Sequence, residues 1–395
     1  MRILEINSVN YGSTGCIMRN IALEAEKMGV EVFTSCQLGK STKGEKYHRH
    51  IYIGNRIDRN IHLRLGKLTG KYGMYSKKIT DKFISEIDEL KPDLIHIHNL
   101  HKGYINIGIL FDYIKQRNVP VVWTLHDCWS FTGQCPYFDI VKCDKWKNGC
   151  GDCPSYKEYP SNIDSTAFMY KKKKEWFQGI NNMTIVTPSK WLSYLVKESF
   201  LGEYNIKVIN NGIDLEVFKP VESELRKQHH LEGKKIILGV ASLWDARKGL
   251  DVFKFLANEL DDSFKVMVVG VTKEQIQELP ANMIGITRTN SAHELAQYYA
   301  MADVFLNPTY EDNFPTVNIE ALACGTPVLT FPTGGSAECL QEGCGMIVTK
   351  DNVLDILFNL DKYDFQEEKC VAAGRQYSAI EKYREYVRLY EEILT

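Results

Sequence analysis

No stretch of this 395-residue chain approaches the roughly 18 consecutive apolar residues that a membrane-spanning helix requires. The first ten residues, MRILEINSVN, lack the long apolar segment of a secretion signal. Both absences predict a cytoplasmic protein. The formal net charge is only −2, so the basic balance of a nucleic-acid binder is missing and no nucleic-acid partner is expected. The eleven cysteines are odd in number and mostly scattered, which suits a reducing compartment better than a disulfide framework. There is no internal repeat and no low-complexity tract. What is present is an ordinary globular composition, 44% hydrophobic, in a chain long enough for two cores.

The most informative stretch runs from Ala302 to Glu338, ADVFLNPTYEDNFPTVNIEALACGTPVLTFPTGGSAE. It reads as an apolar strand, a polar loop, a helix opening at Pro315, a second strand at Val328 to Leu329, and a Gly-Gly turn. A proline in the first helical turn sacrifices no hydrogen bond, because that N–H has no helical partner. The N–H groups behind it, at Thr316 and Val317, make an anion site. Asp312 in the loop and Glu320 in the helix flank that site. Acid, helix N-terminus, acid suits a sugar nucleotide, with diphosphate on the helix and hydroxyls on the acids. An ordinary strand-helix unit that binds nothing fits the same spacing.

The stretch resembles the donor-site signature of the retaining glycosyltransferases of family 4, whose fold is two facing Rossmann-like α/β domains (GT-B). The signature is Glu, seven residues, Glu, then Ala and a Cys-Gly-x-Pro-Val run. Glu320 matches the second Glu, and Cys324, Gly325, Thr326, Pro327 and Val328 match the run; Asp312 replaces the first Glu with a shorter side chain. The resemblance implies a nucleoside diphosphate sugar donor bound by Asn313, Phe314, Pro315, Thr316, Val317, Gly334 and Gly335. Asp312 and Glu320 would hold sugar and ribose hydroxyls. The acceptor would be a saccharide, or a glycan carried on a lipid, of the capsule, exopolysaccharide or colanic-acid type. No cofactor would be required for the chemistry.

The first domain, expected over 1–205, opens with an apolar strand (Arg2 to Asn7), a loop and a helix from Ile17 to Met28. Gly12 and Gly15 are too loosely spaced for a dinucleotide fingerprint. By the resemblance, this loop closes over the donor diphosphate, which makes Gly15 a candidate. Residues 56 to 82 hold eight Lys or Arg and two Asp. Ile57, Ile61, Leu65, Leu68 and Tyr72 fall at helical spacing, so the segment is either a surface element packed on its own domain or a basic amphipathic helix for an anionic membrane. Asp93 to Asn99 alternates as a strand with His96 and His98 on one face; His98 and Asn99 would face the acceptor. Val119 to Leu125 is a buried strand ending in His126, at the strand end where open α/β sheets bind ligands. The resemblance sets His126 against the transferred sugar. An insertion at about 128–160 carries Cys135, Cys143, Cys150 and Cys153, spaced C-x7-C-x6-C-x2-C. Four thiols this close in an intracellular protein fit a structural zinc site, with free thiols or an iron–sulfur cluster as alternatives.

Residues 206–220, with NNGIDLEVFKP, read as a linker. The second, nucleotide-sugar-binding domain is expected over 221–376. It begins with a strand, Lys235 to Ala241, and Arg247 and Lys248 fall where the next helix starts. Cations there oppose the helix dipole and need an anionic partner; the resemblance assigns Lys248, with Arg247, to the donor diphosphate. Ser291 to Glu294 is a capping box. The stripe Ile380, Tyr383, Val387, Tyr390 and Leu394 makes 377–395 a helix, which the resemblance folds back onto the first domain across an interdomain cleft. A non-catalytic sugar-nucleotide or glycan-binding protein on the same fold is the alternative reading.

Overall fold

The computed structural model describes residues 1–37, 47–159 and 161–395, so the end of the cysteine-rich insertion at residue 160 lies outside the described residues. The chain divides into two compact units, Met1–Ile209 with Tyr383–Thr395, and Asn210–Lys382.

The first unit is a seven-stranded sheet: β1 (Arg2–Ile6), β2 (Glu31–Gln37), β3 (His50–Ile53), β4 (Leu94–Ile97), β5 (Val121–Thr124), β6 (Met183–Thr187) and β7 (Asn205–Val208). All pairings are parallel, in the order β3-β2-β1-β4-β5-β6-β7. Its helices are α1 (Gly12–Lys27), α2 (Arg56–Thr69), α3 (Lys77–Leu90), α4 (Ile107–Arg117), α5 (Thr166–Phe177) and α6 (Lys190–Glu198). The central strands LIHI, VVWT and MTIVT are buried along their whole length. Continuous apolar runs of this kind belong to parallel sheets covered on both faces. One face packs on Phe111, Trp123 and Phe177, whose rings cluster 4.7–5.6 Å apart. The other holds α1 and the end of the last helix, where Arg384 donates to the buried Glu24 at 3.0 Å and Tyr390 is wholly buried.

The second unit is a six-stranded parallel sheet in the order β10-β9-β8-β11-β12-β13. Its strands are β8 (Lys235–Val240), β9 (Phe264–Val269), β10 (Met283–Ile286), β11 (Val304–Asn307), β12 (Val328–Thr330) and β13 (Gly345–Ile347). The helices are α7 (Leu225–Gln228), α8 (Leu250–Glu259), α9 (Lys273–Gln277), α10 (Ala292–Met301), α11 (Thr316–Ala323), α12 (Val353–Phe358) and α13 (Glu367–Arg375), with α14 (Ala379–Leu394) closing the chain. In both sheets the strand order reverses once, at β1|β4 and at β8|β11. Connections leave such a point in opposite directions and open a crevice at the carboxyl ends of the strands.

Several expected elements differ in detail. Helix α1 begins at Gly12, five residues before the predicted start, so Gly15 lies in its first turn and not in a free loop. A Cβ there would meet the carbonyl carbon of Asn10 at 2.5 Å, so the strand-to-helix turn needs glycine. The glycines at 66 and 70 do not prevent a helix over the basic segment. Asn55 and Asp58 form a reciprocal capping box, and Gly70 ends α2 in the left-handed conformation that glycine adopts freely. Its apolar stripe is exposed: Ile57 71%, Ile61 51%, Leu65 37% and Leu68 55%. The segment is therefore a surface helix whose apolar face is not packed on its own domain. At α10, Ser291 accepts from the Glu294 N–H at 3.1 Å, but the Glu294 carboxylate takes the Asn290 N–H in place of the cap's own.

Candidate active site

In the second unit the reversal point brings together the loops after β8 and β11. Arg247 and Lys248 lie in a turn before α8, not in its first turn, because Gly249 holds the cap position with φ +73°. A Cβ on Gly249 would stand 2.3 Å from the Pro308 carbonyl oxygen, so glycine lets the two loops touch. The Tyr310 N–H donates to the Arg247 carbonyl at 2.7 Å, and the Thr309 hydroxyl at 3.2 Å. Across this seam the Lys248 ammonium pairs with the Asp312 carboxylate, both half-buried. Arg247 pairs with Asp245 at 2.8 Å. The anionic partner that the sequence required for these cations is thus, for Lys248, the candidate sugar-binding acid itself.

Helix α11 begins at Thr316, one residue later than predicted. Pro315 is its cap, with extended ψ of 118°, and no side chain caps the helix. The first-turn N–H groups at Thr316 and Val317 keep the partial positive charge of a helix start. Just over one turn in, Glu320 accepts from the Tyr299 hydroxyl at 2.9 Å. Burial raises the Glu320 carboxyl above the usual range, opposed by the hydroxyls of Tyr299 and Thr316. Gly334, at φ +55°, and Gly335 form the turn beside this loop, and the Gly335 N–H donates to the Asn313 carbonyl at 2.8 Å. The ring of Phe314 is buried against Tyr377, 5.5 Å between centroids, so the residue anchors the loop in the core.

A buried polar network that the sequence reading missed holds these parts together. Asn307 donates to Asn318 Oδ1 at 2.8 Å, Asn318 donates to the Ser336 carbonyl at 2.8 Å, and Thr330 and Ser336 share a 2.6 Å hydrogen bond. The signal available was a pair of asparagines, one ending a buried strand and one inside a buried, mostly apolar helix. Such residues are poor choices for those places unless a partner awaits them.

In the first unit His98, Asn99 and His126 line one small pocket with His101, Asp127 and Trp129. His98 Nδ1 and His126 Nε2 are 3.1 Å apart, and their rings stack at 5.3 Å. Burial pushes His126 down to about 4, with Asp127 opposing and His101 adding to the fall. Asp127 pairs with His101 at 3.2 Å. Residues from two separate sequence stretches are thus brought to one place. Gly15 belongs to a different feature of this unit, the turn after β1.

Cys135, Cys143, Cys150 and Cys153 are free thiols, each half-buried, within one folded insertion. The thiols of Cys135, Cys150 and Cys153 act electrostatically on one another, and Cys143 on the last two. The Gly133 N–H donates to Cys150 Sγ at 3.1 Å. Lys173, wholly buried beside Cys135 and Cys150, donates to the carbonyls of Trp129 and Thr132 at 2.5 and 3.0 Å. Among the described residues, the one group of three or more candidate metal ligands within 4.8 Å of one another is Glu5, His96 and His98, so no three of the four cysteine thiols come that close together.

Residues 17–217 match the family model described as Glycosyltransferase Family 4, and residues 234–360 match Glycosyl transferases group 1. The chain belongs to this glycosyltransferase family. Among its relatives, it is 26% identical over 325 residues to a putative colanic acid biosynthesis glycosyl transferase, WcaC of Escherichia coli K12, covering 76% of this chain and 77% of that one. A protein of the Klebsiella pneumoniae cps region is 21% identical over 89% of this chain and 94% of its own. In fold, the glycosyltransferase is similar to the sucrose-phosphate synthase of Thermosynechococcus elongatus, with a TM-score of 0.71 at 16% identity, covering 99% and 98% of the two chains. It is likewise similar to Anabaena HepE solved with UDP-glucose, with a TM-score of 0.67 at 16% identity and 99% of each chain covered. The fold is therefore GT-B.

Asn318→Ala tests the network. Removing the side chain strands Asn307 and the Ser336 carbonyl in the interior, at a cost of about 1–3 kcal/mol for each group left unpaired. Chemical denaturation should show the second unit destabilised by that order, with the secondary structure of the folded variant unchanged.

Proposed function

We propose that this glycosyltransferase moves a sugar, as a hexosyl group, from a nucleoside diphosphate sugar to a saccharide acceptor carried on a lipid, in the making of a cell-surface polysaccharide. The anomeric configuration is retained. One observation carries the reading: a Lys248–Asp312 ion pair at a strand-order reversal, with Asp312 four residues before a helix start that no side chain caps. The pair keeps an ammonium and a carboxylate in place and mutually neutralised. An arriving diphosphate, with more charge than one carboxylate, takes over Lys248 and frees Asp312 for sugar hydroxyls. Arg247, the N–H groups of Thr316 and Val317, and the backbone at Asn313, Pro315, Gly334 and Gly335 complete the diphosphate's surroundings.

Glu320 takes the ribose hydroxyls, a role for which a carboxyl held by Tyr299 is already oriented. His126 acts on the transferred sugar and Asn99 on the acceptor, His98 reaches the acceptor side only through His126, 3.1 Å away, and Gly15 gives the β1–α1 turn its close approach to the donor. These groups supply charge and orientation through the chain's own side chains. HepE is described with UDP and with UDP-glucose, and WcaC as belonging to colanic acid biosynthesis, which supports a donor and an acceptor of these classes.

Two further parts belong to this reading. The exposed stripe of α2, interleaved with Arg56, Arg59, Arg64 and Lys67, rests on an anionic membrane surface where a lipid-carried acceptor is found. No helix among the described residues is long and apolar enough to cross a membrane. The four cysteines hold a structural Zn2+. Four soft thiols, an N–H directed at the Cys150 sulfur and the buried Lys173 amine beside Cys135 and Cys150 form a donor set and charge environment suited to a zinc tetrathiolate. The thiols would close in on the ion from their present spacing.

Thermal-shift measurements with UDP, GDP, ADP and their sugar conjugates test the donor assignment. One base should raise the melting temperature, and Lys248→Ala should abolish that shift and lower the transfer rate on the order of 10²-fold or more; an unchanged shift in the variant overturns the role of Lys248. Co-sedimentation with vesicles containing an anionic phospholipid, and not with neutral ones, should be lost in Ile61→Glu/Leu68→Glu. Metal analysis of protein purified without added zinc should find one equivalent, which Cys150→Ser/Cys153→Ser loses.

A further inference from the structure

Glu5 has no part in the chemistry described so far, and its setting is costly. It lies on β1 opposite His96 of β4, wholly buried, and neither carboxyl oxygen makes a hydrogen bond of good geometry, although the Tyr390 hydroxyl is near enough to act on the carboxyl. The basic groups near it are imidazoles: His96 Nδ1 stands 3.9 Å from Oε1, and His98 Nε2 stands 3.9 Å from Oε2. His98 Nε2 is itself buried without a partner. Three orphaned polar atoms facing one another in a dry interior would cost several kcal/mol if the carboxyl were charged.

His96 is satisfied elsewhere. Its Nδ1 lies 2.6 Å from the Tyr390 hydroxyl and its Nε2 lies 2.8 Å from Thr124 Oγ1. A metal ion among Glu5, His96 and His98 would have to break one of those bonds to obtain a lone pair. His98 is different: Nδ1 is committed to His126 Nε2 at 3.1 Å, and Nε2 faces Glu5.

We infer that Glu5 and His98 are positioning residues for His126, joined in a buried chain that runs Glu5, His98, His126 and sets the tautomer of the last ring. Burial raises the Glu5 carboxyl well above its usual range, with the Tyr390 hydroxyl opposing, and holds His98 well below the usual imidazole range. Both directions favour an uncharged carboxyl beside an uncharged imidazole. The Glu5 Oε2 to His98 Nε2 separation is 3.9 Å, and a side-chain rotation that brings the two within hydrogen-bond length would let the Glu5 O–H donate to His98 Nε2. His98 then carries its proton on Nδ1 and donates it to His126 Nε2, and His126 is left protonated at Nδ1. No proton is transferred along the chain. The arrangement fixes which nitrogen of His126 bears hydrogen, as partners of ligating and catalytic histidines do elsewhere. This inference rests on the proposed role of His126 toward the transferred sugar.

The experiment compares Glu5→Gln, Glu5→Leu and His126→Ala in the full chain, once a donor and acceptor pair gives turnover. The Gln amide can donate to His98 as the neutral acid does, so kcat stays within about twofold of wild type. Leu cannot, and kcat falls about tenfold, the worth of one hydrogen bond. The donor KM and the nucleotide thermal shift do not move. Equal activity of Glu5→Leu and wild type overturns the inference, as does a Gln variant no better than Leu. One equivalent of bound metal that Glu5→Gln loses also overturns it. If His126→Ala turns over like wild type, the role of His126 fails; if it is inactive while Glu5→Leu is not, only the positioning chain fails. Should Glu5→Leu not fold, 15N-histidine NMR of the wild-type protein decides. Protons on Nδ1 of both His98 and His126 support the chain, and a proton on Nε2 of His98 overturns it.

Discussion

Parallel strands deliver their following loops to one edge of a sheet, and both units place their polar groups where that edge changes direction. At β8|β11 the two loops lean together because Gly249 admits the Pro308 carbonyl, and the Lys248–Asp312 pair follows from that contact. At β1|β4 the same topology sets Glu5 beside His96 and brings His98 under His126. The side chains differ, but one constraint selects them. A polar group at a reversal point is half-sheltered from water and must find its partner in the neighbouring loop.

That requirement explains the buried polar groups around each site. Asn307, Asn318, Thr330 and Ser336 tie strand ends, α11 and the Gly-Gly turn into one piece through hydrogen bonds that have no competing water. Tyr299 holds Glu320 in the same way. In the first unit Tyr390 and Tyr386, from the end of α14, reach His96 and Thr124. The chain's last helix thus supports the strand that carries the histidines. Rigidity of this kind is what a site that works by orientation and charge needs, since a loosely held carboxylate or imidazole spends its interaction energy on being ordered.

Much of this was legible in the residues. Apolar runs at Val119–Leu125 and Val304–Leu306 read as buried strands, and α14 showed its stripe. The spacing of Asp312, Pro315 and Glu320 marked a loop and helix start with acids on either side. What could not be read was the pairing across space. The sequence called for an anion near Lys248, but nothing in it named Asp312, 64 residues away. The apolar positions of α2 suggested a packed face and turned out exposed, because periodicity reports which residues share a face and not what lies against it. Gly15 looked like a loop glycine and is a helix glycine, needed because Asn10 passes within contact distance.

By itself the sequence determined the class of fold and the family, because strand and helix periodicity and short motifs are properties of neighbours along the chain. Tertiary structure alone decided that Lys248 is held by the acid it was expected to work beside, that Glu320 is held by Tyr299, and that Glu5 lies orphaned against two histidines. Those outcomes depend on which strands become neighbours in the sheet and on how far burial removes each group from water. Neither quantity has a local signature, since both arise only when distant segments exclude solvent together.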